Sequence, residues 1–465
     1  MEPDDPLRIA AGAAAGYLAG LHERPVAPGG DPASLEERLG DELSEHGADA
    51  ERVVRELVEA LEPGLVASAG PRYFGFVTGG ALPVAVAADW LASAWDQNAG
   101  LHVSSPALAA VEEVAARWVL AALDLPSHAS VGFVTGATAA NLVGLAAGRH
   151  RLLAEAGWDV EVDGLHGAPP LHLVCGAEVH ASLLKAAQVL GLGSATWQRV
   201  DVDDQGRMRP DDLEEALAGR DGPTLVAAQA GNVNSGAFDP LDRIAALCRA
   251  HGAWLHVDGA FGLWVRANEQ LRGLAVGAEL ADSWAVDAHK WLNVPYDCGM
   301  AIVADPHAHR SAMTVGASYL VADGGRDGLD WGPEASRRGR GLVVYAALRH
   351  LGRDGLALLV ERCARHARRF AARLIAEDGV EVLNDVVINQ VVVAFEPPGD
   401  EAPLAFRDRL AATIQADGVC WVSGTVWQCV PALRISVSNW RTSFQDVERS
   451  AAAIVDAYRR CRDGT

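Results

Sequence analysis

The chain has 465 residues, of which 50% are hydrophobic and 22% charged, with 61 acidic against 39 basic side chains and a formal charge of −22. That balance argues against a surface for nucleic acid or anionic lipid, since both require a basic face that displaces counterions, and the hydrophobic share excludes a disordered chain. The length exceeds what one hydrophobic core usually supports, so more than one domain is expected.

In chain order, the opening MEPDDP is acidic where a secretory leader would be basic, and the apolar stretch from Ala10 to Leu21 is too short to span a bilayer. A cytoplasmic protein without membrane association is therefore expected. The 7 cysteines contain no C-x-x-C pair, so neither a zinc site nor a disulfide framework is indicated. The first segment, residues 1–75, reads as helices without a strand: AAGAAAGYLAGL, SLEERLGDELSEHG and DAERVVRELVEALE. A helical arm that cannot close a core alone is expected to pack on a larger body or on a partner subunit.

From about residue 130, short apolar runs alternate with amphipathic helices: VGFV, LHLV, TLVAAQ, AWLHVD, SWAVD and GMAIVA. Such runs indicate a central sheet that is mainly parallel and buried on both faces, an α/β body placed at residues 76–344. In these sheets ligands collect beyond the carboxyl ends of the strands. After SRRGRG comes a long helical stretch, then VVINQVVVAFEP and ALRISVSNW, which predict a smaller C-terminal α+β domain at 345–465.

Chemistry is sought where apolar runs end in polar residues. Only two lysines occur, Lys185 and Lys290, and arginine cannot replace lysine in amine chemistry because its guanidinium stays protonated. Lys185, in HASLLKAAQVLGLG, fits the outside of a helix; Lys290 follows SWAVDAH and arrives at a strand's carboxyl edge. AWLHVDGAFG presents Asp258 at another strand end, followed by small residues that let a flat ring approach Ala260. An aspartate leaving a buried strand needs a partner, and a protonated ring nitrogen would provide one. In VGFVTGATAANL, Gly136, Ala137 and Thr138 offer backbone N–H groups at a helix start, where the dipole favours a phosphate. The pattern matches neither G-x-G-x-x-G nor a P-loop, so a dinucleotide is not favoured. His180 follows the run LHLV at the same predicted edge. Each feature alone is commonly structural; together they describe one ligand, pyridoxal 5'-phosphate.

The sequence resembles the group II pyridoxal-phosphate decarboxylases, the family of aromatic-amino-acid, glutamate and diaminobutyrate decarboxylases, over nearly its whole length. The pattern D-x-H-K-W is met by Asp287, His289, Lys290 and Trp291, H-V-D-x-A by His256, Val257, Asp258 and Ala260, and S-P-x-x-x-x-x-E by Ser105, Pro106 and Glu112. The resemblance implies the type I (aspartate aminotransferase-like) fold and a homodimer with interlocking N-terminal segments. It also implies that Lys290 binds the cofactor covalently, Asp258 pairs with its ring nitrogen, His180 stacks on the ring, Ala137 and Thr138 hold the phosphate, and Asp287 and His289 lie beside it. The implied reaction is loss of CO2 from an L-amino acid to give an amine.

Two departures qualify this. Family members commonly carry a tyrosine, three residues before a tryptophan, that protonates the α-carbon after CO2 leaves; in GGRDGLDWGPE that position is Gly328, before Trp331. Either Tyr319 or His180 replaces the donor, or oxygen intervenes and an aldehyde forms, as in relatives that couple decarboxylation to oxidative deamination. Where the family often has G-T-T, this chain has Gly231, Asn232 and Val233; Asn232 either reaches the cofactor or substrate, or simply forms a turn. RYFGFVTGG resembles the family's side-chain pocket, with Phe74 and Phe76 as walls, and by analogy Leu101, His102 and Val103 reach across the dimer. Apolar walls point to an aromatic or bulky apolar substrate, whereas Arg338 or Arg434 would recognise a carboxylate. Another pyridoxal-phosphate reaction, or a cofactor-binding protein without turnover, are the remaining readings, and intact Lys290 and Asp258 speak against the latter.

Overall fold

The computed structural model describes residues 5–29, 32–40, 42–316 and 324–464. They form two compact units, one of residues 79–368 with 383–391 and one of residues 1–78 with 369–382 and 392–465.

The larger unit is built on seven strands: β1 (Ser130–Val134), β2 (His172–Gly176), β3 (Gln198–Val200), β4 (Thr224–Gln229), β5 (Trp254–Asp258), β6 (Ser283–Asp287) and β7 (Gly299–Val303). Their spatial order is β1-β7-β6-β5-β4-β2-β3. From β3 through β2, β4 and β5 to β6 every pairing is parallel. β7 alone runs the other way, antiparallel to both β6 and β1. β1 therefore points with the parallel set, and six strands deliver their carboxyl ends to one edge. The strands β1, β4, β5, β6 and β7 are buried along their whole length, which is why their sequences are continuous apolar runs rather than alternations.

The helix Ala137–Glu155 follows β1 and lies on this sheet, burying Ala140, Val143, Leu145 and Leu152 against strand residues such as Ala285, Ala301 and Leu225. Its approach is closer than a side chain at every position would allow. A Cβ at Gly144 would stand 2.6 Å from the His256 ring.

A second sheet carries the strands β8 (Val380–Val382), β9 (Gln390–Phe395), β10 (Ser423–Trp427) and β11 (Val430–Ser436), in the order β10-β11-β9-β8, and all but the first two residues of β9 belong to the smaller unit. The pairs β8/β9 and β10/β11 are antiparallel. The helix Phe444–Asp463 starts on a capping box in which Ser443 and Asp446 satisfy each other's backbone N–H groups. The helices Pro6–Gly20 and Ala50–Leu61 belong to the same unit, and the second exposes Val53, Leu57 and Leu61.

The S-P-x-x-x-x-x-E motif has a structural explanation. Pro106 opens the helix Pro106–Ala122, and Glu112 accepts two hydrogen bonds from Arg337, at 2.9 and 2.7 Å, with both side chains almost fully buried. Arg337 also donates to the carbonyls of Ala99 and Phe133. Bidentate geometry offsets the desolvation of the two charges. Truncating one partner strands the other, so Glu112→Ala is expected to lower stability by about 3–5 kcal/mol, read as a lower urea midpoint. Replacing Glu112 and Arg337 together by apolar residues of similar volume should recover most of that loss.

Candidate active site

Four elements bring polar residues to the carboxyl edge of the large sheet. β5 ends in Asp258, β6 ends in Asp287, β1 passes through Gly136 into the helix Ala137–Glu155, and His180 is the N-cap of the helix Ala181–Val189 after β2. The β5/β6 register sets Asp258 opposite Ala285, so Asp258 and the turn after Asp287 are held by one ladder.

Asp258 is buried. Its Oδ2 accepts from Asn141 Nδ2 at 3.0 Å and its Oδ1 from the Ala260 N–H at 3.2 Å. Lys290 Nζ stands 2.9 Å from Asp287 Oδ2. The other Asp287 oxygen accepts from the Ala137 N–H at 2.6 Å and lies 3.4 Å from His289 Nε2. His289 Nδ1 accepts from the Cys298 N–H at 3.1 Å, and its ring lies against Tyr296 with centroids 4.3 Å apart. Burial pushes the His289 imidazole below its ordinary pKa, against the pull of Asp287. The turn after Lys290 is fixed by Asn293, in the left-handed region at φ 57°, whose side chain accepts from the Gly80 N–H at 2.9 Å and donates to Trp291 O.

The residues present fit pyridoxal phosphate. The cluster holds a primary amine, a buried carboxylate and the start of a 19-residue helix. The N–H groups of Thr138 and Ala139 precede the first intrahelical bond, from Ala140 N to Gly136 O at 2.9 Å, and so belong to the turn that can take an anion. Thr138 is exposed, and Ala260 presents only a methyl group beside Asp258. The close approach at this edge also requires small residues, since a Cβ on Gly299 would lie 2.6 Å from the Gly136 Cα.

Other residues singled out from the sequence stand elsewhere. Asn232 Oδ1 accepts from the N–H groups of Asn234 and Ser235 at 2.8 and 3.2 Å, and Nδ2 donates to Glu178 at 2.9 Å. Its amide is thus committed to a buried turn, and the reading in which it reaches the ligand is replaced by the turn-forming one. Phe74 is a core residue rather than a pocket wall: it is 1% exposed and packs edge-on against Phe370 at 4.9 Å. Phe76 is 61% exposed, 5.4 Å from Trp421. Leu101 and His102 are half-buried, with the His102 N–H donating to Asp327 at 2.8 Å. Arg338 is engaged with Asp89 at 2.7 Å and Ser93 at 2.8 Å, which removes it as a free carboxylate receptor. Arg434 lies on β11 with its Nε buried and without a hydrogen-bond partner, and burial pushes its pKa down. Tyr319 lies outside the described residues.

Gly328 opens the short 3-10 turn Gly328–Trp331 and is buried. A Cβ there would collide with Ala99 O and Arg337 Nη1, so the position has no room for a tyrosine or any other side chain.

Two polar residues at this edge went unnoticed in the sequence, Asn141 and Ser182. An asparagine in the middle of a helix of small residues is the signal that could have found the first, because asparagine disfavours helix interiors unless its side chain has work elsewhere.

Residues 32–396 match the family model described as the pyridoxal-dependent decarboxylase conserved domain. The cysteine sulfinic acid decarboxylase of Rattus norvegicus is 30% identical over 382 residues, 79% of this chain and 76% of that protein. The 4-hydroxyphenylacetaldehyde synthase of Rhodiola rosea is 27% identical over 450 residues, 93% of this chain and 90% of that one. The crystal structure of Oryza sativa TDC with PLP and tryptamine superposes with a TM-score of 0.91 at 24% identity, over 99% of each chain, and the fold is accordingly that of the pyridoxal-phosphate decarboxylases. With an amine, a carboxylate and a helix start gathered at one sheet edge and a family model spanning most of the sequence, this chain belongs to the pyridoxal-dependent decarboxylases.

Proposed function

We propose that this pyridoxal-phosphate-dependent carboxy-lyase converts an L-amino acid to its amine and CO2, with Lys290 as the residue that binds the cofactor's aldehyde carbon. The observation that carries the reading is the placement of Asp258 at the end of one strand and of Lys290 in the turn after the adjacent parallel strand, at the sheet edge where the helix Ala137–Glu155 starts. Bound pyridoxal phosphate supplies an electron sink for the pair released at Cα as CO2 departs. Asp258 would hold the proton on the ring nitrogen, the first helical turn at Thr138 and Ala139 would bind the phosphate, the Ala137 N–H being taken by Asp287, and His180 would cover a ring face. Asp287 and His289 keep the lysine turn in place. For the substrate, Leu101 offers an apolar side chain within the unit that holds Lys290.

The protein is proposed to work as a homodimer, with residues 1–75 interlocking between subunits. The apolar face formed by Trp90, Leu91 and Trp95, all exposed on the helix Pro83–Trp95, suits burial against a second copy. A cytoplasmic location is consistent with seven cysteines that form no disulfide. Among the described residues no helix is long and apolar enough to cross a membrane.

A second reading is favoured by the crowded surroundings of Gly328, which leave no side chain to protonate the α-carbon from that position. In it, oxygen consumes the released electron pair and the product is an aldehyde, the outcome named in the Rhodiola relative. Profiling of amino acids in an oxygen electrode with parallel amine and aldehyde detection separates the two. Amine formation without oxygen uptake is expected; aldehyde with ammonia and peroxide would transfer the assignment to the second reading.

A further inference from the structure

Asn141 is fully buried within the helix Ala137–Glu155 and meets three polar partners. One of its terminal atoms lies 3.0 Å from Asp258 Oδ2 and also 3.3 Å from Ser182 Oγ; the other lies 2.8 Å from His256 Nε2. An ionised carboxylate only accepts, so the atom on Asp258 must be the amide nitrogen. The amide oxygen then faces His256, whose Nε2 must carry a proton. On the far side of that ring, Nδ1 lies 2.8 Å from Ser283 Oγ, and Ser283 Oγ also accepts from the indole N–H of Trp254 at 3.0 Å.

His256 is enclosed, with Gly144 of the helix leaving just enough space for its ring. Burial pushes its pKa down to about 4, so the ring is neutral near pH 7 and Nδ1 accepts the Ser283 hydroxyl proton. On the other branch, Ser182 accepts from Asn141 and has its own proton left for His180 Nδ1, 2.7 Å away, which also accepts the Ser182 N–H at 3.2 Å. A single direction satisfies every member: Trp254 to Ser283, to His256, to Asn141, and from Asn141 both to Asp258 and through Ser182 to His180.

We infer that Asn141 is a positioning residue that sets the protonation pattern of the site, keeping Asp258 a bare acceptor and His180 a neutral ring with its proton on Nε2. The direction of the chain stands on these distances together with the neutrality of the buried His256 ring. Its consequence for the ring nitrogen rests on the proposed cofactor placement.

Protein labelled with 15N-histidine is expected to show His256 at pH 7 as the neutral Nε2–H tautomer; an Nδ1–H tautomer or an imidazolium there overturns the inference whatever the cofactor does. In the wild-type holoenzyme loaded with 15N-pyridoxal phosphate, the ring nitrogen is expected to resonate as protonated. Asn141→Leu should still be trapped by borohydride at Lys290, bind the cofactor about ten- to hundredfold more weakly, and move the ring nitrogen toward the unprotonated position. Ser182→Ala should leave that nitrogen signal in place and alter only His180. Wild-type ring nitrogen signal and affinity in Asn141→Leu would also sink the inference. Failure of wild-type protein to be trapped at all would instead remove the cofactor placement, while the His256 measurement still judges the chain.

Discussion

Lys290→Ala, incubated with pyridoxal phosphate and borohydride, is expected to retain no covalent cofactor after gel filtration and to lose about 10³-fold or more of its decarboxylation rate. The physical basis is that a nucleophilic amine must be delivered at one point, and Lys185, the other lysine, is exposed on the helix Ala181–Val189. Lys290→Arg sharpens the test. A guanidinium can restore the charge facing Asp287 but cannot form the covalent link, so Lys290→Arg should keep the wild-type melting temperature more nearly than Lys290→Ala while being equally inert to trapping. Trapping of cofactor by either variant at wild-type yield would remove Lys290 from its assigned role.

Asp258→Asn comes next in expected effect. It should still be trapped at Lys290 and should lose about 10²–10³-fold in turnover, because a neutral amide cannot hold a proton on the ring nitrogen where charge collects. Asp258→Ala goes further: it takes the carboxylate acceptor from the buried Asn141 amide, at about 1–3 kcal/mol, so its melting temperature should fall as well. Comparing the two variants separates the electrostatic part of the loss from the structural part. Turnover in Asp258→Asn within tenfold of wild type would show that the carboxylate is not needed at the reacting centre.

The parts of the fold that were legible are those written into local pattern. The runs VGFV, TLVAAQ, AWLHVD and SWAVD became β1, β4, β5 and β6 because strands covered on both faces can carry apolar residues at every position. The reversed direction of β7 was not legible, since GMAIVA has the same composition whichever way it runs. Lys290 and Asp258 could be singled out because Asp258 ends such a run and Lys290 follows one by three residues. Asn232 could not be placed, because its partner Glu178 lies 54 residues away and only the folded chain brings the two together. Phe74 shows a different limit: an aromatic beside a glycine reads alike whether it lines a cavity or fills a core, and the contact with Phe370 decides. Asn141 was overlooked for a third reason, that attention to strand ends passes over a polar side chain pointing down from a helix.

The antiparallel return of β7 has a consequence for how this protein could be altered. Asp287 and Gly299 face each other across the ladder, so the turn of residues 288–298 that bears the lysine is stapled at both ends to buried strands. Shifting the amine would mean unzipping a hairpin from the centre of the sheet. Laboratory evolution of this protein therefore starts from a firm chassis: substitutions outside the two strands leave the lysine turn anchored at both ends.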